Sequence, residues 1–412
     1  MERIVMEAGA KKVVEALISA GYDAYAVGGC VRDALLGDVP NDWDVCTCAL
    51  PEQTIAVFGE ENCIPTGLKH GTVTVKMDGG LYEVTTFRTE GTYSDGRHPD
   101  SVDFVSDVRD DLSRRDFTIN AMAYNDRAGL IDPFGGRVDL FEHRILRAVG
   151  EPMKRFSEDA LRIMRLFRFA ARFGFAIEEE TVRAAIALCQ NLRMVSGERI
   201  REELMKLLSA KAPGAYLPQE IACVILGGMD NVECAAYESV MRAIDALAPD
   251  AELRLAALLS LAEDVSMVLE DLRCSNKTAL RVNTAIALAR SALPDDEAAL
   301  RIWAKRTLGA YGMSALEDAA ALSGVLCGEE AGRKRDRCVF YAREAREKGL
   351  CCALKELAAG GADVMKLPGV KPGPMVGAVL ARLLDAVIAE ELPNEREALL
   401  GAAKEWLGEK KQ

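Results

Sequence analysis

Val27-Gly28-Gly29-Cys30-Val31-Arg32-Asp33, followed nine residues after its last aspartate by Asp42-Trp43-Asp44, decides how this 412-residue chain is read. The glycine pair opens a predicted helix, and the two aspartates stand at i and i+2. On an extended strand that spacing puts both carboxylates on one face. Glycines let backbone N–H groups come close to phosphate oxygens. Two carboxylates on one face can hold Mg²⁺ ions about 4 Å apart, the arrangement that clamps an in-line phosphoryl transfer. Either half alone also fits a glycine turn or a pair of solvated aspartates. The ordered combination with Arg32 favours a metal site that handles a nucleotide.

Composition sets the frame. A chain this long is expected to hold roughly two to four domains. The twelve cysteines are scattered without metal-ligand spacing, so the expectation is reduced thiols in a cytoplasmic protein. Only three histidines are present, His70, His98 and His143, which argues against a histidine-based metal centre. No apolar run reaches membrane-spanning length, so no membrane partner is expected. A net charge of −13 excludes nucleic-acid binding by the whole surface but not by a local groove. Such a groove has a candidate, because residues 137–173 carry nine lysines and arginines against five acids.

Along the chain, residues 1–20 read as a helix, Ala24–Val27 as a short strand and Val31–Leu36 as a helix start. Asp44–Cys48 reads as a strand carrying the aspartate pair. Thr72–Met77 and Leu81–Phe87 alternate around Asp78-Gly79-Gly80, a hairpin pattern. Thr89–Asp103 is polar and turn-rich and reads as a mobile loop. From about 141 onward apolar residues recur at helical spacing and no strand is expected.

Two further constellations carry chemistry. Arg114-Arg115-Asp116 precedes a half-apolar segment, Phe117 to Tyr124. Adjacent guanidiniums suit a triphosphate because each planar fork donates two bonds at once; a surface arginine pair remains the alternative. In Ser157-Glu158-Asp159-Ala160-Leu161-Arg162-Ile163-Met164-Arg165, Ser157 reads as an N-cap with acids in the first turn. Asp159, Arg162 and Arg165 are then neighbours on one helix face. A carboxylate accepts from an exocyclic amine and an arginine donates to a ring acceptor, so such a pair can read a base edge. An exposed salt-bridged helix has the same pattern.

Together these segments resemble the class II tRNA nucleotidyltransferase and bacterial poly(A) polymerase family. The resemblance rests on the opening motif and on Gly67-Leu68-Lys69-His70-Gly71-Thr72-Val73, Arg114–Ala121 and Asp132-Pro133-Phe134-Gly135-Gly136. Glu158–Arg162 and Gly197-Glu198-Arg199-Ile200-Arg201-Glu202-Glu203 complete it. It implies an α/β head of the polymerase-β-type nucleotidyltransferase fold, followed by an all-helical neck, body and tail. The expected partition is 1–140 head, 141–210 neck, 211–300 body and 301–412 tail. It implies that Asp42 and Asp44 bind two Mg²⁺ ions and catalyse the transfer. Gly29 and Arg32 would contact the incoming nucleotide, with Arg115 on its phosphates. Asp159 and Arg162 would pair with the base of CTP or ATP, and Arg165 and Arg168 would line the same pocket. A third metal carboxylate is expected on a neighbouring strand, and Glu83 is the candidate, with a surface strand residue as the alternative.

Within the family, Thr118–Ala123 looks like the tRNA branch, as does the long helical C-terminal half. The loop Phe87–Asp100 is complete in sequence, which favours full CCA addition over CC-only addition. An A-adding enzyme and a poly(A) polymerase remain alternatives. A catalytically silent RNA-binding module would require lost metal ligands or triphosphate arginines, and none is lost. The expected partners are CTP, ATP and the 3′ end and acceptor region of tRNA, with no obligate protein partner evident. Arg333-Lys334-Arg335-Asp336-Arg337 is the densest basic cluster of the tail. It reads as a solvated helix face, or else as a phosphate-contacting patch.

Overall fold

Ala24–Val27 forms strand β1, buried at all four positions, because apolar groups close over both of its faces. Tyr25 and Val27 join Cys46, Phe87, Val108 and Leu112 in one cluster, while helix α1 (Ala8–Ser19) packs on the sheet. The spacing of Val13, Val14 and Leu17 gives α1 its apolar stripe. Glu7 caps it by accepting the Ala10 N–H at 3.0 Å.

The computed structural model describes residues 4–91, 102–227, 229 and 231–409. It divides into two compact units, Met1–Asp230 and Asn231–Gln412.

In the first unit, helix α2 (Gly29–Leu35) follows β1 directly, and strand β2 (Val45–Thr47) follows α2. Helix α3 (Pro51–Phe58) leads to β3 (Cys63–Gly67), β4 (Thr72–Met77) and β5 (Gly80–Thr86). Then come β6 (Arg88–Glu90), β7 (Val102–Phe104), helix α4 (Val108–Ser113), β8 (Ala123–Asn125) and β9 (Gly129–Ile131). One seven-stranded sheet results, in the order β3-β4-β5-β2-β1-β8-β9. β2 and β5 run parallel with Val45 opposite Val84; the other neighbours are antiparallel. The β4–β5 hairpin turns on Asp78 (φ 51°) and Gly79 (φ 81°), the two left-handed residues that a tight hairpin twist requires.

Beyond the sheet a helical turn, α5 (Gly136–Val138), precedes β10 (Ile145–Leu146). Asp132 holds α5 by accepting the N–H groups of Gly136 and Arg137 at 2.7 and 2.9 Å. Helices α6 (Pro152–Glu158) and α7 (Leu161–Phe173) follow, then β11 (Ala176–Ile177), α8 (Glu179–Ala187), α9 (Gly197–Leu208) and α10 (Gln219–Leu226). β10 and β11 pair in parallel, which corrects the expectation of no strand after 141. Two-residue strands are too short to show any periodicity.

Ser157 is also not a helix cap. It lies inside α6 and donates to the Lys154 carbonyl. The chain breaks after Glu158, and Asp159 caps α7 by accepting the Leu161 N–H at 3.0 Å. The first glycine-led helix begins at Gly29, two residues earlier than expected. The ordered strand after the aspartate pair begins at Val45, one residue later. Of the loop Thr89–Asp103, β6 and β7 pair at its two ends. Residues 92–101 lie outside the described residues.

The second unit shows only helices among its described residues. Leu300, Leu316, Cys338, Tyr341 and Ala342 form one core cluster, and Leu357, Val364, Leu383 and Leu399 a second. Helices Met313–Leu326 and Glu329–Glu347 approach closely at Gly324 and Gly332. A Cβ on Gly332 would stand 2.7 Å from the Gly324 Cα, so only glycine permits that contact. The basic cluster is divided: Arg333, Asp336 and Arg337 lie on a solvated face, and Arg335 alone is turned inward. Arg335 is buried and donates to the Ser323 hydroxyl and the Ala289 carbonyl. Arg333, Lys334 and Arg337 pair with Glu329, Asp295 and Glu297.

Candidate active site

Asp42 and Asp44 stand just before β2, where the chain is already extended. Trp43 is buried between them while both aspartates are exposed, as the i, i+2 spacing requires, although the two border different spaces. The Val27 N–H donates to the Asp44 carbonyl at 3.0 Å, which anchors the pair to β1. On the far side of β2, the parallel register puts Glu83 of β5 level with Asp44, one step before the Val45–Val84 pair. Although solvent reaches it, Asp44 is crowded by protein, and this desolvation raises its carboxyl above the usual range. Arg115 opposes that shift, and the negative charges of Glu83 and Asp42 add to it.

Gly28 has φ 81°, and a Cβ there would meet Arg115 Nη1 at 2.8 Å. The glycine therefore lets the guanidinium lie against the backbone where α2 begins. Arg114 and Arg115 share one buried carboxylate. Arg114 Nη2 donates to Asp111 Oδ1 at 2.8 Å, and Arg115 Nη2 to Oδ2 at 3.2 Å. Burial alone would push the Asp111 carboxyl up; the two arginines outweigh it and hold it below its ordinary value. The Arg115 Nε is buried without a hydrogen-bond partner.

Helix α7 supplies the opposite wall. Its arginines rise from an otherwise apolar helix that buries Ile163, Met164, Leu166 and Phe167. Arg165 donates to Asp116 Oδ2 at 2.8 and 2.5 Å, and Asn120 donates to Oδ1 at 3.0 Å. Burial pushes the Asp116 carboxyl up, but the Arg165 charge and these hydrogen bonds hold it well below the usual range. Arg168 pairs with Glu203 of α9 at 2.5 Å and lies over the Phe169 ring. Arg32 is buried. It bonds Asp33 at 2.7 Å and Asn120, and it stacks on Phe169 and Phe173. Phe169 meets Phe117 edge-on at 5.9 Å, tying α7 to the segment that follows the double arginine by a contact worth about 0.5–1.5 kcal/mol.

Gly29, Arg32, Asp44, Arg115, Asp159, Arg162, Arg165 and Arg168 all line one cleft of about 480 Å³. Asp42 does not; it borders a neighbouring groove with Val39, Leu81 and Tyr82. Arg162 is occupied, donating to Glu158 at 2.9 Å and to the Arg114 carbonyl at 3.0 Å. Asp159 faces Arg199 at 3.6 Å. Sequence reading passed over Asp116, Asn120, Phe169 and Arg199, which line the same cleft. Asp116, Asn120 and Arg199 belong to the motifs Arg114–Ala121 and Gly197–Glu203, but their roles depend on partners distant in the chain. Phe169 gave no signal beyond helical apolar spacing.

Eight arginines and three aspartates line the cleft. Such an excess of guanidinium suits a polyphosphate. The acidic rim at Asp42, Asp44 and Glu83 offers hard oxygen donors, and their mutual repulsion is what a divalent cation relieves. Among the described residues, however, no three such donors converge as they would around an ion.

Comparison with known proteins fits this arrangement. The family described as "Poly A polymerase head domain" matches residues 24–147. A tRNA nucleotidyltransferase domain 2 family matches residues 250–403. The CCA-adding enzyme of Lactiplantibacillus plantarum is 37% identical over 405 residues, covering 96% of this chain and 95% of its own. That of Geobacillus kaustophilus is 36% identical over 404 residues, covering 97% and 96%. The crystal structure of the Bacillus stearothermophilus CCA-adding enzyme in complex with CTP superposes with a TM-score of 0.78 at 33% identity. It covers 98% of this chain and 99% of that one.

Proposed function

We propose, starting from a chain that belongs to the CCA-adding enzyme family, that the arginine-lined cleft takes CTP and then ATP. The enzyme joins them to the 3′ end of tRNA without a nucleic-acid template and releases pyrophosphate. The observation that carries this reading is the convergence of Asp44, Arg115 and the α7 arginines on one space. A reacting phosphate, its triphosphate tail and a base edge can all be met there.

The chain's residues divide the work. Arg115, held by Asp111 and seated against Gly28, meets the phosphates, and its unpartnered Nε leaves a donor for them. Gly29 and Arg32 shape the floor beside them. Asp159 and Arg162 read the base: the carboxylate accepts the exocyclic amine shared by cytosine and adenine, and the arginine donates to the ring. Arg162 must exchange its Glu158 and Arg114 partners to do so. Arg165 and Arg168, fixed by Asp116 and Glu203, complete the pocket wall.

Asp42 and Asp44 would hold Mg²⁺, with the nucleotide phosphates completing the set; Glu83, level with Asp44 but not converging with both aspartates, is not counted as a ligand. Bound there, the metal would activate the RNA 3′-hydroxyl and neutralise charge on the departing pyrophosphate. The four-part division 1–140, 141–210, 211–300 and 301–412 belongs to the same reading, with the acceptor region of tRNA on the helical parts. So does a cytoplasmic location, where twelve free cysteines stay reduced. Among the described residues no helix is long and apolar enough to cross a membrane.

The test is a tRNA lacking its terminus, incubated with Mg²⁺ and CTP alone, ATP alone, or both. Two added nucleotides with CTP and three with both support CCA addition. Extension only of a CC-ended RNA means an A-adding enzyme, and a long ladder with ATP means a poly(A) polymerase. No incorporation at all would sink the proposal.

A further inference from the structure

The two catalytic aspartates border different spaces. Asp44 lines the arginine cleft, whereas Asp42 borders the groove with Val39, Leu81 and Tyr82. In-line displacement at phosphorus puts the attacking and leaving oxygens on opposite sides. The groups suited to pyrophosphate, Gly28 and Arg115, lie on the β1 side of Asp44, because Gly28 follows β1 and Arg115 Nη1 stands against it. The attacking hydroxyl then arrives over β5 and β4.

One face of that part of the sheet exposes Ile64, Lys76, Leu81 and Glu83 around a buried Thr74. α1 and α3 pack against β4 and β5, where Val73, Val75, Tyr82 and Val84 are buried. On the other face the register puts Lys76 beside Leu81, Thr74 beside Glu83 and Thr72 beside Thr85. Ile64 of β3 pairs with Thr74 and so continues the same face. Leu81 is 65% exposed and Ile64 37%. Hydroxyl pairs run across the strands, Thr66 to Thr74 at 2.9 Å and Thr72 to Thr85 at 3.0 Å. Lys76 is exposed and has no ion pair with any described residue.

We propose that this open face of β3, β4 and β5 is the track for the last unpaired nucleotides of the acceptor RNA. Leu81 and Ile64 give apolar footing to a base or ribose, the accessible hydroxyls of Thr66, Thr72 and Thr85 meet ribose or phosphate oxygens, and Lys76 meets a backbone phosphate. The occupant is single-stranded RNA because the face is continuous with the catalytic carboxylates. Whatever lies on it is what reacts. The inference rests on the proposed transfer and names where its second substrate sits.

The test uses the full-length protein and a truncated tRNA whose last nucleotide is 4-thiouridine. Irradiation followed by peptide mapping is expected to give an adduct between Ile64 and Thr85. An adduct confined to α6–α9 or to residues 231–412 overturns the track. Lys76→Ala and Leu81→Ala, both at exposed positions, are expected to raise the KM for RNA by about three- to tenfold and leave the KM for CTP unchanged. Lys76→Ala also lowers the log–log salt slope of RNA binding by about 0.7, and Lys76→Arg restores it. An unchanged RNA KM in both variants overturns the proposal. Wild-type protein that fails to incorporate CTP sinks the transfer itself; incorporation with an adduct elsewhere sinks only the track.

Discussion

Arginines occupy the interior of both units, and they are used in opposite ways. In the second unit Arg281 is surrounded by Asp250, Glu252 and Asp318 at 2.6, 3.0 and 2.8 Å. Arg335 spends its donors on Ser323, Ser291 and the Ala289 carbonyl. Three acids absorb the Arg281 charge, and neighbouring oxygens take the Arg335 Nε and Nη2 while its Nη1 is buried without a partner; both side chains clamp helices. In the cleft of the first unit eight arginines and three aspartates line the space; acids behind it are shared, Asp111 by Arg114 and Arg115 and Asp33 by Arg32 and Arg172, while Glu158 and Glu203 hold Arg162 and Arg168. The imbalance is tolerated because the cleft is open to solvent. A surplus of guanidinium around an open space is a binding site, whereas a balanced guanidinium in a closed one is scaffolding.

The sharpest way to break this contrast is to remove the site's acids. Asp44→Ala is expected to abolish nucleotide incorporation, on the order of 10³-fold or more. Thermal stability should hold or rise, since Asp44 is a carboxylate held in an unfavourable setting. A stability loss would make Asp44 a structural residue. In the second unit Arg335→Ala is expected to do the reverse. It should destabilise by about 2–3 kcal/mol in a denaturant titration, because buried hydrogen-bond partners lose their donor.

Asp159→Ala and Arg162→Ala should each change discrimination among the four nucleotides by about 10- to 100-fold. RNA affinity should shift less. Unchanged selectivity would remove the base-reading role. Asp116 offers a pH test with a definite sign. Its folded carboxyl lies below the unfolded value of about 3.9, so the stability it contributes is complete above that value. It is lost as pH falls from about 4 toward the folded pKa. Asp116→Asn should flatten that acid limb; an unchanged limb would show that other carboxylates set it. The smallest expected effect is Arg333→Ala. It breaks an exposed pair with Glu329 and should shift stability within about 0.5 kcal/mol.

Much of the fold was legible where local chemistry repeats. The β1 strand, the hairpin at Asp78-Gly79 and the exposed–buried–exposed alternation of Asp42, Trp43 and Asp44 are one- and two-residue rules written in the chain. The β10–β11 pair was not legible, since two residues carry no period. Nor was the cap on α7, because Ser157 and Asp159 are both competent caps and only the chain's path chooses between them. The solvated face of Arg333 and Arg337 was legible; the burial of Arg335 between them was not, because charge along a helix says nothing about which side is covered.

The sequence alone determined the chemical inventory: the glycine pair, the aspartates, the double arginine, and the helix that bears Arg162, Arg165 and Arg168, all in an order that names a family. Only the tertiary structure decided which of them are free to act. It set Glu83 level with Asp44 across a parallel pair, bound Asn120 to Arg32 from 88 residues away, and closed Asp33 on Arg172 from 139. Charge balance and hydrogen-bond saturation depend on contacts between distant segments, and no local pattern encodes those.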